Sequence, residues 1–286
     1  MSVEFAEVEA DGQALRIEYE WVGHFDRLRT GHFDRLRTGH FDRLRTGEGA
    51  QALVFLHEGL GSRAMWRDFP GKLAAALGMR GLVYSRPGYG KSTPRTPGER
   101  WQPDFMHRQA HEVLPAFLDR VGVREPAWLY GHSDGGSIAL LFAARHPELT
   151  AGVIAAAPHI FVEDLSVESI ELTRETYLST DLRDKLARYH DDVDSAFWGW
   201  NDIWLDPRFR AWNIEQEIGA IVAPVLAIQG VDDEYGTLAQ VRGIARRLGR
   251  CELLELADCG HSPHRDQPEA VIRAAVEFVQ RTREGP

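Results

Sequence analysis

Cysteine is scarce in this chain of 286 residues: only Cys251 and Cys259 are present. Two cysteines do not build a disulfide framework, and no Cys/His spacing of the metal-binding kind accompanies them. Positive charge is also short. The 33 Lys and Arg are outnumbered by 43 Asp and Glu, a formal net charge of −10. A chain without a basic excess lacks what neutralises nucleic-acid phosphates. No apolar run is long enough to span a bilayer. The opening residues, Met1-Ser2-Val3-Glu4-Phe5-Ala6-Glu7, are acidic and carry no apolar h-region, so no signal peptide is visible. The expectation is a soluble cytoplasmic protein acting on a small-molecule substrate, with no nucleic-acid or membrane partner and no metal or other cofactor.

What is there reads as one large α/β domain with an insertion. Residues 3–10 and 14–22 alternate apolar and polar around Asp11-Gly12, the pattern of a β-hairpin. Next, Gly-His-Phe-Asp-Arg-Leu-Arg-Thr occurs three times without a mismatch, at 23–30, 31–38 and 39–46. The unit is far shorter than the period of folded repeat arrays, and its Phe and Leu keep to neither a helical nor a strand face. It reads as an extruded loop, or alternatively as a homo-oligomer contact or an arm over a pocket mouth. From Gln51 onward the grammar is βαβ. Apolar runs at 52–56, 81–85, 127–131, 151–157, 224–229 and 251–256 predict buried parallel strands. Helical stretches near 64–77, 105–121, 134–146, 237–248 and 268–282 alternate with them. This predicts a doubly wound, mostly parallel sheet. Residues 159–218 are too long for a crossover and rich in aromatics, and read as a helical cap. The core is then 1–158 with 219–286.

The chemistry centres on Gly131-His132-Ser133-Asp134-Gly135. An apolar run precedes it and a helical one follows, the context that makes Gly-x-Ser-x-Gly a nucleophile elbow. A serine hydroxyl needs a base, and the base needs a group to orient it. In this elbow's order the acid comes next and the histidine last. Gly230-Val231-Asp232-Asp233-Glu234 follows the strand at 224–229, and Asp258-Cys259-Gly260-His261 follows the one at 251–256. Both leave the carboxyl edge of the sheet, where open α/β sheets place their sites. His261 is the expected base, ahead of the nearby His264. Asp233 is the expected acid, with Asp232 and Glu234 as competitors. Oxyanion donors are expected at the amides of Gly59, in the turn after the strand 52–56, and Asp134. Candidate pocket residues are Glu58, His132, Phe161, Trp198 and Trp204.

Taken together, these segments resemble the α/β-hydrolase superfamily from about Val3 to Glu284, the repeat apart. The resemblance is carried by His57-Glu58-Gly59-Leu60-Gly61-Ser62, Ser85-Arg86-Pro87-Gly88-Tyr89-Gly90-Lys91-Ser92, the elbow, Gly230-Val231-Asp232-Asp233 and Gly260-His261-Ser262-Pro263. It implies the same five roles for Ser133, Asp233, His261, Gly59 and Asp134, and a lid at 159–218. Two departures stand out: Glu58 replaces the usual glycine after His57, and Ser85 replaces the usual aspartate. A serine nucleophile argues against the dehalogenase and epoxide-hydrolase branches. The expected activity is cleavage of a small or medium carboxylic ester, lactone or thioester through an acyl-enzyme. C–C bond hydrolysis of ring-cleavage products, acyl transfer and amide hydrolysis are alternatives on the same triad. A small-molecule receptor on a hydrolase fold is the non-catalytic alternative.

Overall fold

The computed structural model describes residues 3–10, 12–23 and 50–284. The tandem repeat, beyond its first residue, lies outside the described residues. Eight strands form a sheet in the order β1-β2-β4-β3-β5-β6-β7-β8. β1 (Glu4–Ala10) and β2 (Gln13–Val22) make the antiparallel hairpin that alternation predicts, and β2 runs antiparallel to β4. β3 (Ala52–Leu56), β4 (Arg80–Tyr84), β5 (Ala127–His132), β6 (Thr150–Ala156), β7 (Val225–Gly230) and β8 (Cys251–Leu256) are parallel. The apolar runs locate each of these six to within a residue.

Helices alternate with the strands: α1 (Phe69–Leu77), α2 (Phe105–Arg108), α3 (Leu114–Arg120), α4 (Asp134–Arg145), α5 (Asp164–Ser179), α6 (Leu182–Leu186), α7 (Val193–Trp204), α8 (Glu215–Ile218), α9 (Ala239–Arg247), α10 (Pro263–Asp266) and α11 (Pro268–Glu284). Strand side chains point alternately to the two faces, so each parallel strand feeds two cores. Leu53, Phe55, Val83 and Tyr130 pack with α1 and α11. Val54, Leu56, Leu82 and Leu129 pack with α2, α3 and α4. Each such buried side chain contributes roughly 1.5–3 kcal/mol by leaving water. α11 docks through Val271, Ala275, Phe278 and Val279, one stripe at helical spacing.

Two expected helices are broken. The stretch 105–121 contains a π-helical turn at Gln109–Val113. Pro115 enters α3 there without an N–H to bond back, and the widened turn absorbs the missing link. The stretch 64–77 divides into a 3₁₀ turn, Arg63–Trp66, and α1, with Arg67 between them at a φ of 55°. Pro70 sits in the first turn of α1, a place that suits a residue without an N–H.

α5 to α8 lie between β6 and β7. Most aromatic rings of this helical insertion pack on one another, as Tyr177 does on Phe197 (ring centroids 3.6 Å apart) and Phe209 on Trp212 (5.3 Å). Among the described residues no helix is long and apolar enough to cross a membrane.

Candidate active site

β5 runs wholly buried through the middle of the sheet and ends at His132. Ser133 then turns sharply, at φ 53° and ψ −123°, and α4 starts at Asp134. A non-glycine residue in the left-handed region costs of order 1–3 kcal/mol and persists only where its surroundings hold it. Here the Ser133 amide donates to Ala156 O at 2.9 Å, and its carbonyl accepts from the Gly136 amide at 2.8 Å. The helix also lies hard against β3. A Cβ on Gly135 would come within 2.1 Å of the Leu56 carbonyl oxygen, so no side chain fits there. The small flanking residues therefore serve the close approach of helix to strand, and the turn leaves Ser133 Oγ at the sheet edge.

His261 and Asp233 reach the same edge from the turns after β8 and β7. His261 Nε2 lies 2.9 Å from Ser133 Oγ, and its Nδ1 lies 2.8 Å from Asp233 Oδ1. That oxygen also accepts from the amides of Tyr235 (2.9 Å) and Gly236 (3.3 Å), and Oδ2 accepts from Gln229 Nε2 at 3.0 Å. Burial pushes the Asp233 carboxyl up, but the His261 partner and the Tyr235 amide more than offset this and hold it below the usual aspartate range. Of the three carboxylates in this turn, Asp233 is the one on the imidazole. Asp232 is exposed, and Glu234 accepts from the His261 backbone amide at 3.2 Å. His264 is buried instead against Trp66 and His132 (centroids 4.8 and 4.7 Å away).

Gly59 and Asp134 both border the pocket beside Ser133, whose volume is about 360 Å³. Gly59 lies against the Trp200 indole, which a Cβ there would strike at 2.2 Å. The Asp134 carboxylate is buried. Its Oδ1 accepts from Trp204 Nε1 at 3.2 Å, and burial raises its pKa against the pull of Arg86. Glu58 and His132 also line the pocket. Glu58 Oε1 accepts from Arg265 Nη2 at 3.0 Å, and its Oε2 lies 3.6 Å from His132 Nδ1. Burial would push the Glu58 carboxyl up, but His132 and Arg265 hold it well below the ordinary value. His132 Nε2 donates to the His261 carbonyl at 2.7 Å.

Two of the expected pocket aromatics lie elsewhere. Trp198 stands two residues before Trp200 on α7, so it faces the opposite side and packs on Tyr177 and Phe197. Phe161 sits at the root of the insertion, bridged to Asn213. Trp204, one turn after Trp200, does line the pocket, with Ile170, Thr173, Thr176, Leu182 and Leu186 from α5 and α6. His159 and Tyr235 complete the wall beside His261.

Residues 53–274 match the model of the alpha/beta hydrolase family. The chain belongs to that family. Among curated relatives, this hydrolase is 25% identical over 256 residues to a 2-hydroxy-6-oxo-6-phenylhexa-2,4-dienoate hydrolase of Burkholderia cepacia, covering 80% of this chain and 87% of the relative. Its fold is shared with the enol-lactonase of Burkholderia xenovorans LB400 (TM-score 0.68, 19% identity, 97% of this chain and 100% of that one). A thermophilic esterase of Thermogutta terrifontis is equally similar in fold (TM-score 0.69, 18% identity, 99% of each chain).

The site of this hydrolase is crowded with buried histidines, and that sets its response to acid. His57, His159 and His264 are 0%, 3% and 3% exposed. Burial lowers all three below the ordinary 6.5, His159 to about 3 with help from the nearby His261. Below pH 6.5 the unfolded chain therefore takes up protons that the folded one refuses. Stability falls by about 1.4 kcal/mol per pH unit for each such histidine. Asp233, whose pKa is depressed, gives up its contribution only later, as pH drops through its own lowered value. The melting temperature is expected to start falling near pH 6.5. A flat profile down to the carboxylate range would contradict buried neutral imidazoles.

Proposed function

We propose that this protein is a serine hydrolase that cleaves a small or medium carboxylic ester, lactone or thioester through an acyl-enzyme on Ser133. The observation that carries this reading is the unbroken line from Asp233 Oδ1 to His261 to Ser133 Oγ, at 2.8 and 2.9 Å, opening into a largely apolar pocket. His261 takes the hydroxyl proton as Ser133 Oγ bonds to the carbonyl carbon. The amides of Gly59 and Asp134 receive the resulting oxyanion. The C–O bond then breaks, and the alkoxide leaves with the proton from His261. Water, deprotonated by His261, releases the acid and restores the serine. Residues 159–218 act as the lid over this chemistry: Ile170, Leu186, Trp200 and Trp204 would hold an apolar group of the substrate, and the Glu58–Arg265 pair would mark a polar end.

The names of the sequence relatives favour a second reading, hydrolysis of a C–C bond in a 2-hydroxy-6-oxodienoate. There the group expelled is a carbon, and the proton must reach it through the substrate's enol. Incubation with a fluorophosphonate, followed by intact mass and peptide mapping, is expected to give one adduct, on Ser133. Turnover of p-nitrophenyl esters of graded acyl length is expected alongside it, falling off once the acyl group outgrows the pocket. An adduct without ester turnover, together with bleaching of a dienoate chromophore, would move the assignment to C–C cleavage. No adduct and no turnover would leave the receptor reading.

A further inference from the structure

Arg86 is 1% exposed and does not line the substrate pocket. Its guanidinium lies over the Tyr89 ring at 4.7 Å, and its hydrogen bonds converge on one peptide. The Arg86 amide donates to His57 Nε2 at 2.9 Å, which places the ring proton on Nδ1. His57 Nδ1–H donates to the Glu58 carbonyl at 2.7 Å. Arg86 Nη2 donates to the same oxygen at 2.9 Å, and the Gly61 amide reaches it at 3.0 Å. This carbonyl is the other end of the peptide that carries the Gly59 N–H. A trans peptide points its N–H opposite its C=O, so donors that pin the oxygen also aim the N–H. They draw electron density toward the oxygen as well, which makes the N–H a stronger donor. The same guanidinium lies 3.7 Å from Asp134 Oδ2, on the residue that supplies the second amide, and Trp204 of the helical insertion holds the other oxygen of that carboxylate.

We propose that Arg86 is a positioning residue of the oxyanion hole, aiming and polarising the Glu58–Gly59 peptide while bracing it against Asp134. This rests on the serine-hydrolase reading. Arg86 sits behind the two donors and never touches substrate. Its effect belongs to the tetrahedral state, when the oxyanion exists, and not to substrate binding. A merely structural arginine would balance the buried Asp134 charge and do nothing more. Replacing both members of a buried pair is tolerated far better than removing one. The two roles therefore separate in a double variant.

Arg86→Met and Arg86→Met/Asp134→Asn are compared with wild type on p-nitrophenyl butyrate, with folding checked by circular dichroism. Inhibition by butylboronic acid, which adds to Ser133 Oγ as a tetrahedral anion, is measured in parallel. Loss of a whole oxyanion donor costs 10²–10³-fold, so a misaimed one is expected to cost about 30- to 300-fold in kcat. Boronate affinity should fall by the same factor, with KM within about threefold. Both variants are expected to behave this way. If Arg86→Met alone does not fold, the double variant carries the test. Recovery of the double variant to within about threefold of wild type would reduce Arg86 to charge compensation and overturn the proposal. So would unimpaired boronate binding. A wild-type protein inert to both ester and boronate would instead overturn the serine-hydrolase reading beneath it.

Discussion

Replacing Ser133 by alanine is expected to lower turnover by about 10⁴-fold or more while leaving the fold and melting temperature near wild type. The magnitude follows from the chemistry. Without Oγ, His261 has no nucleophile to activate, and the remaining donors can only bind a carbonyl that water must attack unaided. The fold should survive because the cost of the elbow lies in its backbone, at a φ of 53°, and alanine occupies that region no more easily and no less easily than serine. Steady-state turnover with the best p-nitrophenyl ester, beside a thermal melt, reads both. Activity retained within tenfold would remove Ser133 from the mechanism, and the acyl-enzyme with it.

Asp233 should have the next largest effect, and the replacement matters. Asp233→Ala is expected to lower kcat by about 10⁴-fold, because the imidazole loses both its orienting bond and the charge that stabilises it when protonated. Asp233→Asn should cost at least tenfold less, about 10²-fold. The reason is the crowd of donors around the carboxylate. Oδ1 faces His261 Nδ1 and the amides of Tyr235 and Gly236, whereas Oδ2 faces Gln229 alone. An asparagine there keeps its oxygen toward the three donors and sets its NH₂ against the single donor Gln229 Nε2, a contact relieved when the Gln229 amide turns to present its Oε1 at the expense of its bond to the Gly236 carbonyl. The useful tautomer of His261 survives, and chiefly the charge is lost. An asparagine variant as dead as the alanine one would mean that the amide flips and that the backbone donors do not control it. A larger loss at Asp232 or Glu234 would move the acid to another residue.

The inner parallel strands were readable in this chain because they are buried on both faces, and Leu53-Val54-Phe55-Leu56 or Val225-Leu226-Ala227-Ile228 admit no polar residue, whereas β8, expected to be buried, lies at the sheet's edge with Leu253 41% exposed. The elbow was readable because its glycines answer a steric demand that few other arrangements make. The helix breaks were less visible. The π turn at Gln109–Val113 depends on how one proline is absorbed, and hydrophobic spacing does not report that. Pocket walls were harder still. Composition says that 159–218 is aromatic but not which way any ring points, so Trp198 and Trp204 look alike until α7 fixes one as the far side of Trp200. The contribution of α5, through Ile170, Thr173 and Thr176, follows a three-residue spacing visible in the sequence, but nothing there says that this stripe faces a pocket. Arg86 is the extreme case. It lies in a turn, its partners are 28 and 48 residues away, and its burial is set wholly by tertiary packing.

Ser133 and His261 are 128 residues apart in the chain, and Asp233 is 28 from His261, yet all three meet where β5, β7 and β8 end. Between β5 and β7 lies β6, and between Ser133 and the other two runs the entire helical insertion. No local stretch of polypeptide can assemble the triad proposed for this hydrolase. It comes into being only when long-range parallel pairing is complete, the slowest kind of contact for a chain to make. A nascent or half-folded copy thus holds an inert hydroxyl. Covalent labelling during refolding would therefore time the closing of the sheet itself, with the protein as its own clock.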